Sequence, residues 1–425
     1  MERSLQCELT LPRPNRWVRE LPAATATDGP KTAFRLLLVF LLILYSSVAI
    51  LFPALNALRP ALIVALAAIG MMVLELGQTG RSFRLLWPQG ALLFTFLAVA
   101  FVSSFDAMWA KLAFERTSDI AKIVLIYVVI ENTVISKDRL HTVLLTMVIG
   151  GLFPALGTIN NYLHGILREG RAAWVGVFAN ANENAYALVI LVPIAWAIAS
   201  KSGWLMRIAL WAVIGVYVLA IYVTYSRGGL LGLFAVLGLI GWKQKSIVLR
   251  GLMVAALIGA VFVMGMYWKR DQGFNDISND TTYNQRIATI KAGVRMFYAH
   301  PLLGVGPGCS IVAYPLFVPP EAHCGCQLQL VIHNTVIQAL SETGLLGFVP
   351  FMLFLGLSIF HAWRMQKGPL STYAAGLEIA MWGFLVCGLS GGFSYSWFPY
   401  ILIGLIVAAK HIAAPHAAES SNAVI

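Results

Sequence analysis

The chain has 425 residues, of which 59% are hydrophobic and only 12% are charged, and its mean hydropathy is +0.77. This composition excludes an ordinary water-soluble globular protein, in which about a quarter of the residues are charged. The formal net charge is +11. It reflects where Lys and Arg fall around the apolar segments and says little about nucleic-acid binding.

Apolar segments of about 20 residues, long enough to cross a bilayer as helices, recur along nearly the whole chain. We expect about twelve transmembrane helices, at 35–53, 59–77, 88–104, 118–135, 140–160, 183–200, 205–225, 228–242, 248–267, 335–362, 372–391 and 396–413. The segment 335–362 is too long for one straight span. We therefore expect a short helix there, a break near Gly344 and then the span itself.

The predicted helices divide the chain into five parts. These are a cytoplasmic N-terminal segment (1–34), transmembrane helices one to nine (35–267), a large polar loop (268–333), transmembrane helices ten to twelve (334–413) and a cytoplasmic tail (414–425). No small-residue cleavage site follows the first apolar run, so we expect an uncleaved anchor. Within the loop we expect a helix at 282–298, with Ile287, Ile290, Val294 and Phe297 on its packed face.

Lysines and arginines indicate the orientation of the chain. With the N-terminus inside, the cytoplasmic segments hold about three times as many of them as the short outer loops do. The polar loop 268–333 is too long for this rule to count. Both termini are then expected in the cytoplasm, and the polar loop is expected on the outer side.

Three of the five cysteines lie in the polar loop, where an oxidising compartment permits a disulfide. A bridge from Cys309 to Cys324 or Cys326 would stabilise the fold by about 3 kcal/mol. The alternative is a metal site formed by His323, Cys324 and Cys326. No fourth ligand has the spacing that a zinc site requires, so we favour the disulfide.

The first polar motif is Ser226-Arg227-Gly228-Gly229, at the junction of two predicted spans. An arginine at the edge of the hydrocarbon needs an anionic partner or must extend to the interface, so a plain interfacial anchor is the alternative to a binding role. The two glycines favour binding, because they would let a large headgroup approach the backbone.

The second motif is Arg286 on the amphipathic helix, which leads into the glycine-rich run 300–308. A single arginine on such a helix is more often simply solvated. The glycine-rich run predicts turns and not a nucleotide-binding loop, because it lacks the strand, the helix and the lysine of a P-loop.

Two further motifs precede apolar spans. His333-Asn334 opens the helix that returns to the membrane, where a histidine is either a polar cap or a proton acceptor. The amides of Asn180, Asn182 and Asn184 are suited either to capping a helix or to binding sugar hydroxyls.

Together, these motifs resemble the O-antigen ligase family, whose core is shared with O-antigen polymerases and pilin oligosaccharyltransferases. The resemblance lies in the 226–229 motif, the Arg286 helix with its glycine-rich run, and His333-Asn334 followed by Gly344. It implies an all-α polytopic membrane protein of the GT-C-like class, with about 12 transmembrane helices and a large, partly helical periplasmic loop. It also implies a location in the bacterial inner membrane, with the active site on the periplasmic side.

Ligases of this family transfer O-antigen polysaccharide from undecaprenyl diphosphate to a sugar hydroxyl of lipid A–core oligosaccharide during lipopolysaccharide biosynthesis. The resemblance therefore implies a glycosyltransferase with two lipid-borne substrates, no nucleic-acid partner and no cofactor. Arginines suit the diphosphate because they hold phosphate oxygens with paired hydrogen bonds, so we expect no metal. The lack of a suitable nucleophile favours an inverting displacement, with a histidine as the general base.

The candidate site residues fall into two groups. Those expected to be catalytic are His333, Arg227 and Arg286. Those expected to bind substrate are Arg171, Arg295, Asn180, Asn182, Asn184 and Asn334.

Three other functions remain open. An O-antigen polymerase would use the same lipid-linked donor, and the sequence hardly separates it from a ligase. A pilin oligosaccharyltransferase usually has a larger outer C-terminal region than this chain. A transporter of lipid-linked oligosaccharide would be expected to show two similar halves and ionisable residues inside its spans. Few such residues occur here, as with Glu75, Lys122 and Glu378.

Overall fold

The computed structural model describes residues 29–422, apart from 245, 249, 252, 256–258, 260–280 and 321–328. The part of the chain that it describes is all-helical, and its main helices are α1 (Thr32–Ser46), α2 (Pro53–Ala57), α3 (Pro60–Thr79), α4 (Gln89–Ser103), α5 (Ala110–Thr133), α6 (Lys137–Leu163), α7 (Ala181–Ala199), α8 (Trp204–Val223), α9 (Arg227–Trp242), α10 (Thr281–Ala299), α11 (Ser310–Phe317), α12 (Thr335–Met365), α13 (Ser371–Gly388) and α14 (Trp397–Asn422).

Six of these helices are long and apolar enough to cross a membrane: α3, α6, α7, α8, α12, and α14 as far as Ala414. The apolar helices α1, α4 and α9 are shorter. The expected span 248–267 falls largely outside the described residues. The membrane-spanning class is thereby confirmed, whereas the count of about twelve helices and the periplasmic position of the loop stay predictions.

Helix α7 lies at the centre of the bundle. It packs against α6, α8, α9 and α13, and 89% of its span is buried, against 17% for the peripheral α3. Its residues are apolar on all sides, as expected for a helix surrounded by other helices. The residues at its N-terminus therefore lie in the middle of one end of the bundle.

Four helices begin at a side chain that caps them. The side-chain oxygens of Ser136, Asn180, Ser226 and Asn334 each accept from a backbone N–H in the first turn of α6, α7, α9 and α12. Such a cap contributes about 1 kcal/mol. Three of these residues belong to the polar motifs, so each of those motifs marks the start of a helix.

The two ends of the bundle carry different contacts. At one end, Lys243 forms an ion pair of 2.8 Å with Glu378, and Arg139 donates to the carbonyl of Pro30. This is the end expected to be cytoplasmic. The starts of α7, α9 and α12 meet at the opposite end.

The predicted break at Gly344 is confirmed. Its backbone (φ 58°, ψ −167°) leaves the helical conformation inside α12, in a region that favours glycine. The glycine-rich run packs into the break, because Leu345 N donates to Pro301 O (2.8 Å) and Val305 N donates to Ser341 O (2.9 Å). A Cβ at Gly304 would lie 2.4 Å from the backbone carbonyl carbon of Glu342 in α12. The run therefore forms turns, as the sequence predicts.

Helix α10 confirms the helix expected at 282–298, but its packed face is not the predicted one. Ala288, Ala292 and Met296 are the buried residues of a small second core that includes Ile332. The expected face of Ile287, Ile290, Val294 and Phe297 is only partly buried. Small side chains let the helix approach closely, and a Cβ at Gly293 would lie 2.6 Å from Ile337. The face with small residues is therefore buried in place of the face with larger apolar residues, because it packs more closely against its neighbours.

The expected disulfide is not formed by Cys309. Its thiol is free and buried, its sulfur lies 3.5 Å from the carbonyl of Trp109, and burial raises the pKa of the thiol to about 11. Cys324 and Cys326, and the alternative metal ligand His323, lie outside the described residues.

Candidate active site

The chain turns sharply into α9 at the first motif. Tyr225 adopts φ 48°, a conformation that is unfavourable for a residue with a side chain. Ser226 follows, fully buried, and its hydroxyl caps the helix by accepting from Gly229 N (3.2 Å). Arg227 is the first residue of the helix and remains partly exposed. The guanidinium therefore stands at the positive end of a helix, where an anion is favoured.

Asn182 connects this motif to Arg171. Its side-chain oxygen accepts from Ser226 Oγ (2.8 Å) and from Arg171 Nη2 (2.5 Å). Arg171 Nε also donates to the carbonyl of Thr224 (3.0 Å). Two donors on one amide oxygen hold the start of α9 and the arginine in a fixed relation, as a connected polar network does.

Gly228 packs against side chains and not against open space. A Cβ at this position would lie 1.9 Å from Ser390 Oγ and 2.4 Å from Tyr186 Oη. Tyr186 and Ser390 hydrogen-bond to each other at 2.9 Å. The expectation that Gly228 leaves room for a headgroup is therefore wrong, because two side chains of the protein already fill that room.

Arg286 also lies near this tyrosine. Its charge and the Ser226 side chain both act on the Tyr186 hydroxyl. The Nε–H of Arg286 is buried and has no hydrogen-bond partner in the described part of the chain. A buried donor without an acceptor costs about 1–3 kcal/mol. An anionic ligand would satisfy it.

His333 lies in the extended segment directly before α12, and Arg286 is close to it. Burial of the ring, together with the positive charge of Arg286, lowers the pKa of His333 to about 4. The imidazole is therefore neutral at physiological pH, and a nitrogen lone pair is available to accept a proton.

The loop between α13 and α14 joins these parts. Thr335 Oγ1 donates to the carbonyl of Gly391 (2.8 Å), and a Cβ at Gly392 would lie 2.3 Å from the carbonyl of Ile332. Ser390, one residue earlier, reaches Tyr186. The segment that carries His333 is therefore fixed relative to α7 and α9.

The structure brings together five of the predicted site residues at this end of the bundle. They are Arg171, Asn182, Arg227, Arg286 and His333.

The other four have different surroundings. Asn180 is exposed and caps α7. Asn184 is fully buried and donates to Thr158 Oγ1 (2.6 Å). Asn334 caps α12 and donates to the carbonyl of Leu389 (3.2 Å). Arg295 is exposed on α10, where it donates to the carbonyl of Val318 (3.4 Å). Their amides and guanidinium mainly serve the fold, and their substrate-binding roles stay predictions.

A polar cavity of about 360 Å³ adjoins the site and is lined in part by Arg168, Arg171, Asn180 and Glu183. Arg171 belongs both to this cavity and to the network of Asn182. The cavity is therefore linked to the start of α9 through Arg171 and Asn182.

Three residues of this region could not be found from the sequence motifs. Tyr186 and Ser390 lie in segments that read as apolar spans or short turns. Glu342 is buried inside α12 and accepts from Gly308 N (2.8 Å) and from the hydroxyl of Ser310. It connects the glycine-rich run to the break at Gly344. In the sequence, only its position between His333 and Gly344 could have pointed to this role.

Arg171, Arg227, Arg286 and the buried ring of His333 thus lie at one end of a bundle of membrane-spanning helices. The family model described as O-antigen ligase matches residues 208–352, which include Arg227, Arg286, His333 and Gly344. This match confirms the resemblance to the O-antigen ligase family, whose members are membrane enzymes that transfer glycans as ligases or polymerases. Arg171 and Asn182 lie outside the matched region. No curated protein matches this chain.

Proposed function

We propose that this protein is an O-antigen ligase. It transfers O-antigen polysaccharide from undecaprenyl diphosphate to a sugar hydroxyl of lipid A–core oligosaccharide, on the periplasmic side of the inner membrane. The proposal rests on one observation above all: Arg286 is close enough for its charge to act on His333 and on Tyr186 of α7, whose hydroxyl is within hydrogen-bond reach of Ser226 at the start of α9.

Arginines suit the leaving group of this reaction. When the bond between the donor sugar and the phosphate breaks, its electron pair goes to the phosphate oxygen, and negative charge grows there. Arg227, at the N-terminus of α9, and Arg286, with its unsatisfied Nε–H, would bind that diphosphate. Each positioned donor of this kind contributes about 3 kcal/mol to transition-state stabilisation. Arg171, held by Asn182, would support the same charge.

His333 is the general base of the proposed reaction. The acceptor hydroxyl oxygen attacks the anomeric carbon from the face opposite the diphosphate, its proton passes to the imidazole, and the configuration inverts. In the free protein the pKa of about 4 makes the ring a weak base. Once a diphosphate offsets the charge of Arg286, that charge no longer depresses the pKa, and the imidazole becomes more basic. Donor binding would therefore prepare the base.

A metal ion has no assigned part in this mechanism, because the arginines supply the positive charge that a bound cation would supply elsewhere. Transfer by purified protein is therefore expected to persist in EDTA. Loss of transfer that Mg²⁺ or Mn²⁺ restores would overturn this part of the mechanism.

The decisive experiment distinguishes a ligase from a polymerase. Purified protein in liposomes is supplied with lipid-linked O-antigen and lipid A–core, and the products are separated by size and by lipid. We expect O-antigen on lipid A–core, dependent on both substrates. Lengthening of the lipid-linked glycan without transfer to lipid A–core would identify a polymerase and overturn the ligase assignment.

A further inference from the structure

An apolar groove of about 400 Å³ lies between α1, α3, α5 and the start of α14. Its walls include Phe40, Leu44, Ala65, Ile69 and Trp397. The groove lies along helices that carry apolar surface through the expected bilayer, so its apolar walls favour hydrocarbon chains.

Two cations line this otherwise apolar groove. Lys122 is paired with Asp119 at 2.9 Å, so its charge is largely compensated. Arg59 lies between α2 and α3, is exposed, and forms no ion pair with any residue in the described ranges. An exposed guanidinium that lines an apolar groove is complementary to an anionic lipid headgroup.

Backbone strain coincides with this region. Among the described residues, positive φ angles at non-glycine positions occur at Ser47, Arg59, Glu169 and Tyr225. Ser47 and Arg59 line the groove, Glu169 lines the polar cavity, and Tyr225 directly precedes Ser226. Strain of this kind collects at functional sites.

The apolar groove and the polar cavity share one wall. Val177 lines the groove and Gly176 lines the polar cavity. Ile50 packs on this wall, since a Cβ at Gly176 would lie 2.1 Å from its Cδ1. Because Arg171 lines the polar cavity and binds Asn182, an amphipathic molecule that occupies both spaces would reach the candidate active site.

We infer that the groove holds the acyl chains of a phosphorylated glycolipid, the acceptor, with a phosphate on Arg59 and its glycan in the polar cavity. This inference rests on the proposed ligase function. The donor does not fit as well, because its phosphates adjoin the bond that breaks and must lie at Arg227 and Arg286. A phosphate bound by Arg59 must therefore belong to another molecule. An acceptor that carries its phosphate far from the reacting hydroxyl would place one there.

The first test fills the groove. Ala65→Trp places a large side chain in it, and Ala67→Trp is the matched control, because Ala67 is exposed on α3 and does not line the groove. Binding of acylated acceptor and of donor is measured separately on purified protein, together with the KM of each. Ala65→Trp is expected to weaken acceptor binding and raise the acceptor KM by about tenfold. The acceptor KM of Ala67→Trp and the donor KM of both variants are expected to match those of the wild type.

The second test removes the charge. Arg59→Gln is compared with Lys111→Gln, an exposed cation on α5 that lines neither cavity. Arg59→Gln is expected to raise the KM for acylated, phosphorylated acceptor about tenfold. It is expected to leave the KM for the same acceptor without phosphate unchanged. Lys111→Gln is expected to leave the KM unchanged for both the phosphorylated and the dephosphorylated acceptor.

The outcomes separate the two proposals. An effect of Ala65→Trp on the donor alone would assign the groove to the prenyl chain, and no effect on either substrate would show that it holds bulk lipid. Each result overturns the acceptor assignment while leaving the ligase function intact. Conversely, if the wild-type protein binds acceptor in the groove but transfers nothing to it, the proposed function fails and the binding site stands.

Discussion

Arg286 and His333 lie close enough that the charge of the arginine, added to the burial of the ring, holds the pKa of the imidazole near 4. They come from different parts of the polar loop and meet because α10 packs against the segment before α12. The buried Nε–H of the same arginine has no hydrogen-bond acceptor among the described residues. Its position therefore couples anion binding to the basicity of the histidine.

The pH dependence of transfer should show this coupling. The folded-state pKa of His333 is lowered from its ordinary 6.5 to about 4, so the free protein keeps the base neutral until the pH falls towards 4. We expect kcat/KM for the donor to show no loss near pH 6.5. The acid limb of kcat should lie at higher pH, because bound diphosphate offsets Arg286. Initial rates across the pH range measure both limbs, and an acid limb near 6.5 in kcat/KM would contradict the structure.

The variant Arg286→Gln tests the cause of the low pKa. Removing the charge should raise the pKa of His333 only in part, because burial is the larger cause. The acid limb of kcat/KM should therefore move upwards while kcat falls about 10²- to 10³-fold through loss of a phosphate contact. His333→Ala, as the reference, should abolish transfer and leave no such limb. Near-normal transfer by His333→Ala would show that His333 is not the general base.

Arg227 should not be replaceable by lysine. Lysine keeps the charge but has no planar fork for two phosphate oxygens, so Arg227→Lys should lose about as much kcat as Arg227→Ala, on the order of 10²-fold. Arg207→Lys is the control, because Arg207 is exposed at the opposite end of the bundle and donates to the carbonyls of Ala199 and Ser202. An active Arg227→Lys protein would show that charge alone suffices.

Local sequence signals predicted the parts of this site but not their arrangement. The break at Gly344 and the helix α10 follow from glycine and from amphipathic spacing, which act within a few residues. The packed face of α10 did not follow, because Ala288 and Ala292 are buried by the close approach of other segments. Likewise, Tyr186 and Ser390 meet only after α7 and the loop after α13 are packed. Contacts between residues far apart in the chain leave no local pattern.

Asn182 should act through the residues that it positions. In Asn182→Ala, Arg171 and Ser226 lose their shared acceptor, and we expect kcat/KM for the donor to fall about tenfold. Asn182→Asp keeps an acceptor oxygen and should restore most of the activity, which a simple loss of packing would not allow. Asn160→Ala, an exposed amide on α6, should change nothing. Equal defects in the Ala and Asp variants would count against positioning.

Glu342 should stabilise the glycine-rich run. In Glu342→Ala, the N–H of the half-buried Gly308 and the buried Ser310 hydroxyl lose their acceptor, and the loss costs about 1–3 kcal/mol for a fully buried group. We expect a lower melting temperature and faster proteolysis in the run 300–310. Glu342→Gln keeps one acceptor oxygen and should be less affected, and Glu115→Ala, which removes an exposed carboxylate, should match wild type. Unchanged proteolysis in Glu342→Ala would show that other contacts hold the run.

Gly228 and Gly238 provide a matched pair on α9. A methyl group at Gly228 would collide with Ser390 Oγ and Tyr186 Oη, whereas nothing lies within 4 Å of a Cβ at Gly238. Gly228→Ala should therefore separate Tyr186 from Ser390 and shift the start of α9, which carries Arg227. Because misplacement of a phosphate ligand by about 1 Å can cost 10²-fold in rate, we expect kcat to fall by about that factor. Gly238→Ala should keep full activity and gain slight helix stability. Equal rates for the two variants in the reconstituted transfer assay would mean that the start of α9 tolerates displacement, and Arg227 would then lose its place in the mechanism.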